Sequence, residues 1–291
     1  MSIISKVWIT GAEGRLGSEL NRMLNQREFE LLDTDCDDVD VTNVEDVLGF
    51  ADRNHPDRII HCAGMTDTAA CEQDPERAFR VNALGARNVA IAARKIGARL
   101  IHLSTDDVFG NGADQPYTEF DIPCPITVYG RSKLAGENFV RELAPKHIVI
   151  RSGWVYGANE HSFVTWLLQQ VPLGQPVAVA DDQTGCPTSA KELARAVVRL
   201  MDTSEYGTYH AACEGSCTRL AFAKEILRLS GQDLLLVPAA HELSEHIFRP
   251  AYTALDNFML RISGLHRMAD WQSALREYLQ EMPLERLPRG R

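Results

Sequence analysis

Tyr129 and Lys133 stand one helical turn apart in the run Tyr129-Gly130-Arg131-Ser132-Lys133, so a helix would place the phenol and the ammonium on one face. A free phenol has a pKa of about 10, too high for ready proton exchange at neutral pH. A neighbouring ammonium favours the phenolate and lowers that value. The pair therefore reads as a proton donor whose acidity Lys133 tunes. Upstream, Leu103-Ser104-Thr105-Asp106 closes a short apolar run, and Thr105 can set a hydroxyl on a carbonyl oxygen undergoing reduction. A strand-end threonine is also a common turn former, so it gains meaning only beside the other groups. A third element, Thr10-Gly11-Ala12-Glu13-Gly14-Arg15-Leu16-Gly17, has glycines spaced GxxGxxG between a strand-like run and a helix-like one. Glycines there permit a tight turn and let a pyrophosphate approach the unpaired N–H groups of a helix N-terminus.

These groups act together only if a fold brings them to one edge. Continuous apolar runs at 6–10, 29–32, 58–62, 99–103 and 147–150 have the character of strands buried on both faces. Between them, 15–26, 43–53, 75–96 and 129–143 carry apolar residues at helical spacing. The alternation predicts an α/β fold with a doubly wound parallel sheet of the Rossmann type, which binds ligands at the carboxyl ends of its strands. Beyond about residue 155 the pattern loosens. Helices are expected at 161–170, 188–202 and 218–230, short strands at 177–179 and 207–210, and loop at Val237-Pro238-Ala239-Ala240. The expected division is a dinucleotide-binding domain of residues 1–158 and 187–212, with a smaller C-terminal substrate-binding lobe of 159–186 and 213–291.

The second strand ends in Asp33-Thr34-Asp35. A carboxylate about 20 residues past the glycines can hold the adenosine ribose hydroxyls, and Asp35 is the better placed because Val39-Asp40-Val41-Thr42 sets the loop register. The alternative is a solvated acidic turn of Asp33, Asp35, Asp37 and Asp38. A carboxylate here repels a 2′-phosphate, and Cys36 follows in place of an arginine, so NADH is expected in preference to NADPH, with NADPH the second choice.

A chain of 291 residues supports one large domain or two closely joined ones. With 45% hydrophobic and 24% charged residues it should fold throughout. Thirty Lys plus Arg against forty Asp plus Glu give a net charge of -10, which repels nucleic acid and anionic lipid, so neither is an expected partner. Seven cysteines without a CxxC pair read as free thiols in a reducing, cytoplasmic setting. No run approaches the roughly 18 apolar residues that suggest a membrane span, and the apolar start of the chain is too short for a signal sequence.

Glycine loop, strand-end hydroxyl and Tyr-Lys pair, in this order, resemble the short-chain dehydrogenase/reductases. More narrowly, the chain resembles the dTDP-4-dehydrorhamnose reductase family of their extended, nucleotide-sugar branch. The matching pieces include Ser104-Thr105-Asp106 with Val108-Phe109, Val128-Tyr129-Gly130 with Lys133-Leu134-Ala135-Gly136-Glu137, Trp154-Val155-Tyr156-Gly157, Asp181-Asp182-Gln183-Thr184-Gly185, Pro187-Thr188, Arg249-Pro250 and Leu255-Asp256. The resemblance implies hydride transfer from the reduced cofactor to C4 of a dTDP-4-keto-6-deoxysugar, with Tyr129 protonating the new alkoxide. Lys133 would also hold the nicotinamide ribose and Thr105 would orient the keto oxygen. The implied cofactor contacts are Gly11, Glu13, Gly14, Arg15, Leu16, Gly17, Asp35, Cys62, Ala63, Gly64, Ser104, Tyr129 and Lys133. On the substrate side stand Thr66, Thr68, Thr105, Trp154 facing the sugar, and Arg249 engaging the diphosphate; ordinary core packing and a surface ion pair are the alternatives for the last two.

The chain departs from the family pattern at Asp107, where Tyr is usual, at Thr127 in place of Asn, and at Arg219 in place of Trp. Some members pair as homodimers through magnesium-bound carboxylates, but Lys191 stands where one such acid would lie, so a homodimer is expected without a metal. The two histidines of His241-Glu242-Leu243-Ser244-Glu245-His246 are five residues apart and share no helical face, and His210, Cys213 and Cys217 lack a fourth ligand. Two other functions share parts of this pattern. One is a different reductase or an epimerase of the same branch, with the same cofactor residues; the other is a non-catalytic cofactor-binding subunit, which would not need Thr105, Tyr129 and Lys133 together.

Overall fold

The computed structural model describes residues 5–24, 28–110, 112–157, 162–240 and 249–282. Six parallel strands form the main sheet: β1 (Ser5–Thr10), β2 (Phe29–Thr34), β3 (Arg58–His61), β4 (Arg99–Thr105), β5 (His147–Ser152) and β10 (Gly207–His210), in the order β10-β5-β4-β3-β1-β2. The continuous apolar runs behave as the physics of a doubly covered sheet requires. Successive side chains on a strand point to opposite faces. Val7 and Ile9 accordingly join one buried layer with Leu16 and Leu20 of α1 (Arg15–Met23) and Leu193 and Val197 of α8 (Ala190–Met201). Trp8, between them, joins the opposite layer with Val47 and Ala51 of α2 (Val44–Asn54), Val89 of α5 (Ala86–Ile96) and Val140 of α6 (Val128–Leu143). Each of the larger aliphatic side chains contributes about 1.5–3 kcal/mol when fully buried. The sheet order reverses between β1 and β3, which opens a crevice at their carboxyl ends.

The stretch 75–96, expected as one helix, is three. After α3 (Thr68–Gln73) come α4 (Pro75–Phe79), a π-helical turn Arg80–Gly85, and α5. The wider turn carries Asn82, whose amide accepts from Met65 N at 2.8 Å and donates to Met65 O at 3.0 Å and to Ser132 Oγ at 2.9 Å. It thereby ties the loop after β3 to helix α6. Departures of this kind recur at functional sites.

Beyond the sheet, α7 (Phe163–Gln170), α9 (Arg219–Ser230) and the helix Trp271–Glu281 share a second core around Tyr156, Leu167, Phe222, Ile226, Trp271 and Leu275. Short ladders stitch its surface. β6 (Val155–Tyr156) pairs with β9 (Thr188–Ser189), β8 (Thr184–Gly185) with β11 (Cys217–Thr218), and β7 (Val177–Ala180) with β12 (Leu236–Ala239). The segment Val237-Pro238-Ala239 is therefore strand rather than the expected loop. Its only sequence cue was Pro238, and its strand character comes from β7, a partner distant in the chain.

Three buried histidines serve the scaffold. His61 and His102 stack at 5.3 Å inside the sheet, and His61 Nδ1 bonds Thr10 Oγ1 at 2.7 Å. His210 Nδ1 donates toward the carbonyls of Tyr117 and Asp256, each at 3.1 Å. Among the described residues no cluster of potential metal ligands occurs, and His241 and His246 lie outside them. Burial, reinforced by Lys133 and Arg151 respectively, pushes His61 and His210 down to about 3, and burial pushes His102 well below its ordinary value. The unfolded chain thus takes up protons from about pH 6.5 downward that the folded chain refuses. Stability is expected to fall by about 1.4 kcal/mol per pH unit for each such imidazole below that pH. Urea unfolding midpoints at pH 7.5, 6 and 5 check this, and a flat series would contradict it.

Candidate active site

The glycine loop is shaped by contacts that only glycine allows. Gly11 has φ +70, a left-handed conformation, and a Cβ there would lie 2.8 Å from Ala63 N. A Cβ on Gly17 would lie 2.4 Å from Gly11 O, so the helix can start directly against the turn. Gly14 caps α1 without a side-chain bond, and the first turn holds no acid, leaving N–H groups for an anion. Asp35 Oδ2 accepts from Glu13 N at 2.8 Å and braces the loop from the end of β2. A cleft of about 1140 Å³ runs along this edge. Of the expected cofactor contacts, Gly11, Gly14, Arg15, Leu16, Gly17, Asp35, Cys62, Ala63, Gly64, Ser104, Tyr129 and Lys133 line it. So do the expected substrate contacts Thr66, Thr68, Thr105, Trp154 and Arg249. Glu13 alone is not in the wall and meets the site through its backbone bond to Asp35. The loop, the carboxylate and the extended cleft fit a dinucleotide.

Helix α6 starts at the cleft because Thr127 caps it, accepting from Gly130 N at 2.9 Å, while Glu72 accepts from Val128 N at 2.7 Å. That places Tyr129 in the wall and points Lys133 beneath it. Lys133 is buried and donates to Leu103 O at 2.6 Å; burial pushes its ammonium down to about 8, against the pull of Glu137. The Tyr129 phenol is pushed up, first by burial and then by the Asp107 carboxylate, with a hydrogen bond to Thr105 opposing them. Lys133 is not among the main groups acting on it. This corrects the expected division of labour: its ammonium is held by a β4 carbonyl, and Asp107, where the family usually carries Tyr, sets the phenol against ionising. The phenol therefore stands protonated, as a donor must.

Asp106, buried, joins both halves of the site. It accepts from Thr105 Oγ1 at 3.1 Å and from Thr253 Oγ1 at 2.6 Å, while Thr105 Oγ1 accepts from Asp107 N at 3.2 Å. Burial and the adjacent Asp107 push the Asp106 carboxyl upward. Beneath it, Ser104 Oγ donates to Glu137 Oε1 at 2.5 Å, and Arg151 grips Glu137 with Nε and Nη2 at 2.9 and 2.8 Å.

On the far wall, Trp154 adopts φ +46, rare for a bulky residue and a form of strain found at functional positions. Its indole packs on Gly185, where a Cβ would fall 2.5 Å from Cε2, and carries the Arg219 guanidinium 3.5 Å from a ring centroid. Thr68 is buried, and its hydroxyl has no hydrogen-bond partner among the described residues. Thr66 is exposed at the rim and Arg249 is half-buried. Sequence reasoning did not assign Arg219, Gln183, Asn82 or the bridging role of Asp106 to the site. The Asp181-Asp182-Gln183 motif, the adjacent acids at 106 and 107, and Arg219 in place of the family's Trp hinted at three of them; no motif marked Asn82.

The family model described as the RmlD substrate binding domain matches residues 5–284. The chain belongs to this family. Among its relatives, the spore coat polysaccharide biosynthesis protein SpsK of Bacillus subtilis is 36% identical over 279 residues, 96% of this chain and 98% of that protein. The dTDP-4-keto-6-deoxy-D-glucose reductase of Streptomyces niveus is 34% identical over 92% of this chain and 94% of its own. Among solved structures of the family, the dTDP-4-dehydrorhamnose reductase of Bacillus anthracis in complex with NADP superposes with a TM-score of 0.94 at 36% identity, covering 96% of this chain and all of that one. Family membership accounts for the doubly wound sheet.

Proposed function

We propose that this chain is an NAD(P)-dependent reductase that delivers hydride to C4 of a dTDP-4-keto-6-deoxysugar, giving dTDP-L-rhamnose or a close relative. The single observation behind this reading is the meeting of Thr105, Tyr129 and Lys133 in one cleft with the glycine loop, in a chain whose relatives include named reductases of such sugars. The reduced dinucleotide supplies the hydride. The glycine loop, Asp35 and the segment Cys62-Ala63-Gly64 hold it, with Ser104 and Lys133 beside its reactive end. Thr105 orients the keto oxygen, and Tyr129 gives its phenolic proton to the oxygen that gains charge. Thr66, Thr68, Trp154 and Arg249 face the sugar nucleotide. Residues 159–186 and 213–291 form the substrate side of this division, and 1–158 with 187–212 the cofactor side. The reading includes cytoplasmic action as a homodimer, the latter checked by sedimentation.

The decisive assay mixes purified protein, reduced cofactor and the 4-keto dTDP-sugar and follows the reduced-nicotinamide absorbance. Unchanged absorbance with several keto-sugars would sink the reading in favour of a cofactor-binding subunit. Cofactor choice has its own test. The Asp35 carboxylate faces the cleft and disfavours a 2′-phosphate, so NADH should be preferred, even though the Bacillus anthracis relative is bound to NADP. Asp35→Ala is expected to narrow the NADH over NADPH ratio of kcat/KM by about tenfold, the scale of one charge contact. An unaltered ratio would place the ribose contact elsewhere.

A further inference from the structure

Arg219 and Gln183 occupy the cleft wall opposite the glycine loop, and neither has a role in the chemistry above. Arg219 is the first residue of helix α9, capped by Thr218 with no acid in the first turn. A cation at that end opposes the helix dipole, so this arginine does not serve helix stability. It is only 8% exposed, its guanidinium carbon lying 3.5 Å from a ring centroid of Trp154 and 5.0 Å from that of Phe163. A guanidinium against an aromatic ring keeps its charge in a mostly buried wall, where it attracts an anion more strongly than it would in water. Gln183 is 2% exposed, and both polar atoms of its side chain lack hydrogen-bond partners among the described residues. Leaving such an amide buried and unsatisfied is costly, and a ligand oxygen would recover that cost. The two residues are locked together, since Arg219 N donates to Gln183 O at 3.1 Å.

We propose that Arg219 and Gln183 form an oxyanion subsite that takes the diphosphate of the nucleotide-sugar substrate. The inference rests on the reductase reading and deepens it. Arg219 lies close enough to Asp106 to act on its charge, and Asp106 adjoins the Thr105 hydroxyl. A pyranose ring is the spacer between a reacting C4 and the first phosphate, and Arg219 and Gln183 share the cleft with Thr105. The guanidinium on Trp154 also means that a ligand reaching that side of the indole meets charged donors before it meets the ring.

The test measures binding of dTDP, which has the diphosphate and lacks the sugar, and of thymidine, which lacks both, by calorimetry. Arg219→Met is expected to weaken dTDP at least about tenfold, as loss of a charged hydrogen bond does, and to leave thymidine and the reduced cofactor within about twofold. Arg219→Lys should recover part of the loss. Gln183→Glu, similar in size but anionic, should weaken dTDP as well and decides the matter if the methionine variant does not fold. Unchanged dTDP affinity in a variant that folds, or equal losses for dTDP and thymidine, would overturn the subsite and reduce Arg219 to a packing residue. If that happens while the wild-type protein still oxidises the cofactor with keto-sugar, the subsite alone fails. If the wild type neither turns over nor binds dTDP, the reductase reading fails with it.

Discussion

Tyr129→Phe is expected to lower kcat by roughly 10²- to 10⁴-fold, the contribution of a positioned proton donor, while leaving affinity for reduced cofactor unchanged. The phenol is the cleft-wall group whose protonation fits the step. Burial and Asp107 hold it neutral, and Thr105 hydrogen-bonds it beside the position proposed for the keto oxygen. Phenylalanine keeps the ring and its packing and removes only the hydroxyl. Stopped-flow oxidation of bound cofactor separates the chemical step from binding, and a variant with normal turnover would refute the assignment. The same arrangement fixes a pH signature. Because Lys133 loses its charge at about 8, any contribution of that ammonium to turnover should fade as the pH rises through that value.

Glu137→Ala should destabilise the fold by about 3–5 kcal/mol, since it strands Arg151, 2% exposed, without its carboxylate. Burial alone would raise the Glu137 pKa; the hydrogen bonds and charge of Arg151, with help from Arg141, hold it below its ordinary value. At about 2–4 °C per kcal/mol for a chain of this size, the melting temperature should drop by roughly 10 °C. The double variant Glu137→Leu with Arg151→Met, which removes both charges, should recover most of that stability. It should not recover turnover. Ser104 beside Thr105 is tied to Glu137, and Glu137 sits on the helix that carries Tyr129 and Lys133. Calorimetric melting and kcat of the two variants test the split, and full activity in the double variant would deny the carboxylate its positioning role.

Much of this was readable from local chemistry. Runs such as Val7-Trp8-Ile9 announce strands because burial on both faces removes every polar position, and Tyr129 and Lys133 announce a helix face by spacing alone. What stayed hidden depends on distant partners. The π-helical turn at Arg80–Gly85 follows from Asn82 reaching across to Met65 and Ser132. The strand at Pro238 exists because β7 lies beside it. Trp154 was visible as a candidate, but not its left-handed backbone, nor the arginine laid on it from a helix that begins 65 residues later. The effect of Lys133 on Tyr129 is hidden for a related reason. Spacing brings two side chains to one face and says nothing of a third group, here the Leu103 carbonyl, that claims one of them.

The position of β10 constrains anyone who would re-engineer the molecule. The strand pairs with β5 at the edge of the main sheet, and α8 packs against α1, yet both come from chain that has already passed through the opposite wall of the cleft. A fragment cut after β6 would leave a sheet edge bare and the α1 layer half covered. Exchanging specificity with a relative therefore calls for two grafts, one on each side of α8 and β10, rather than a single fusion point.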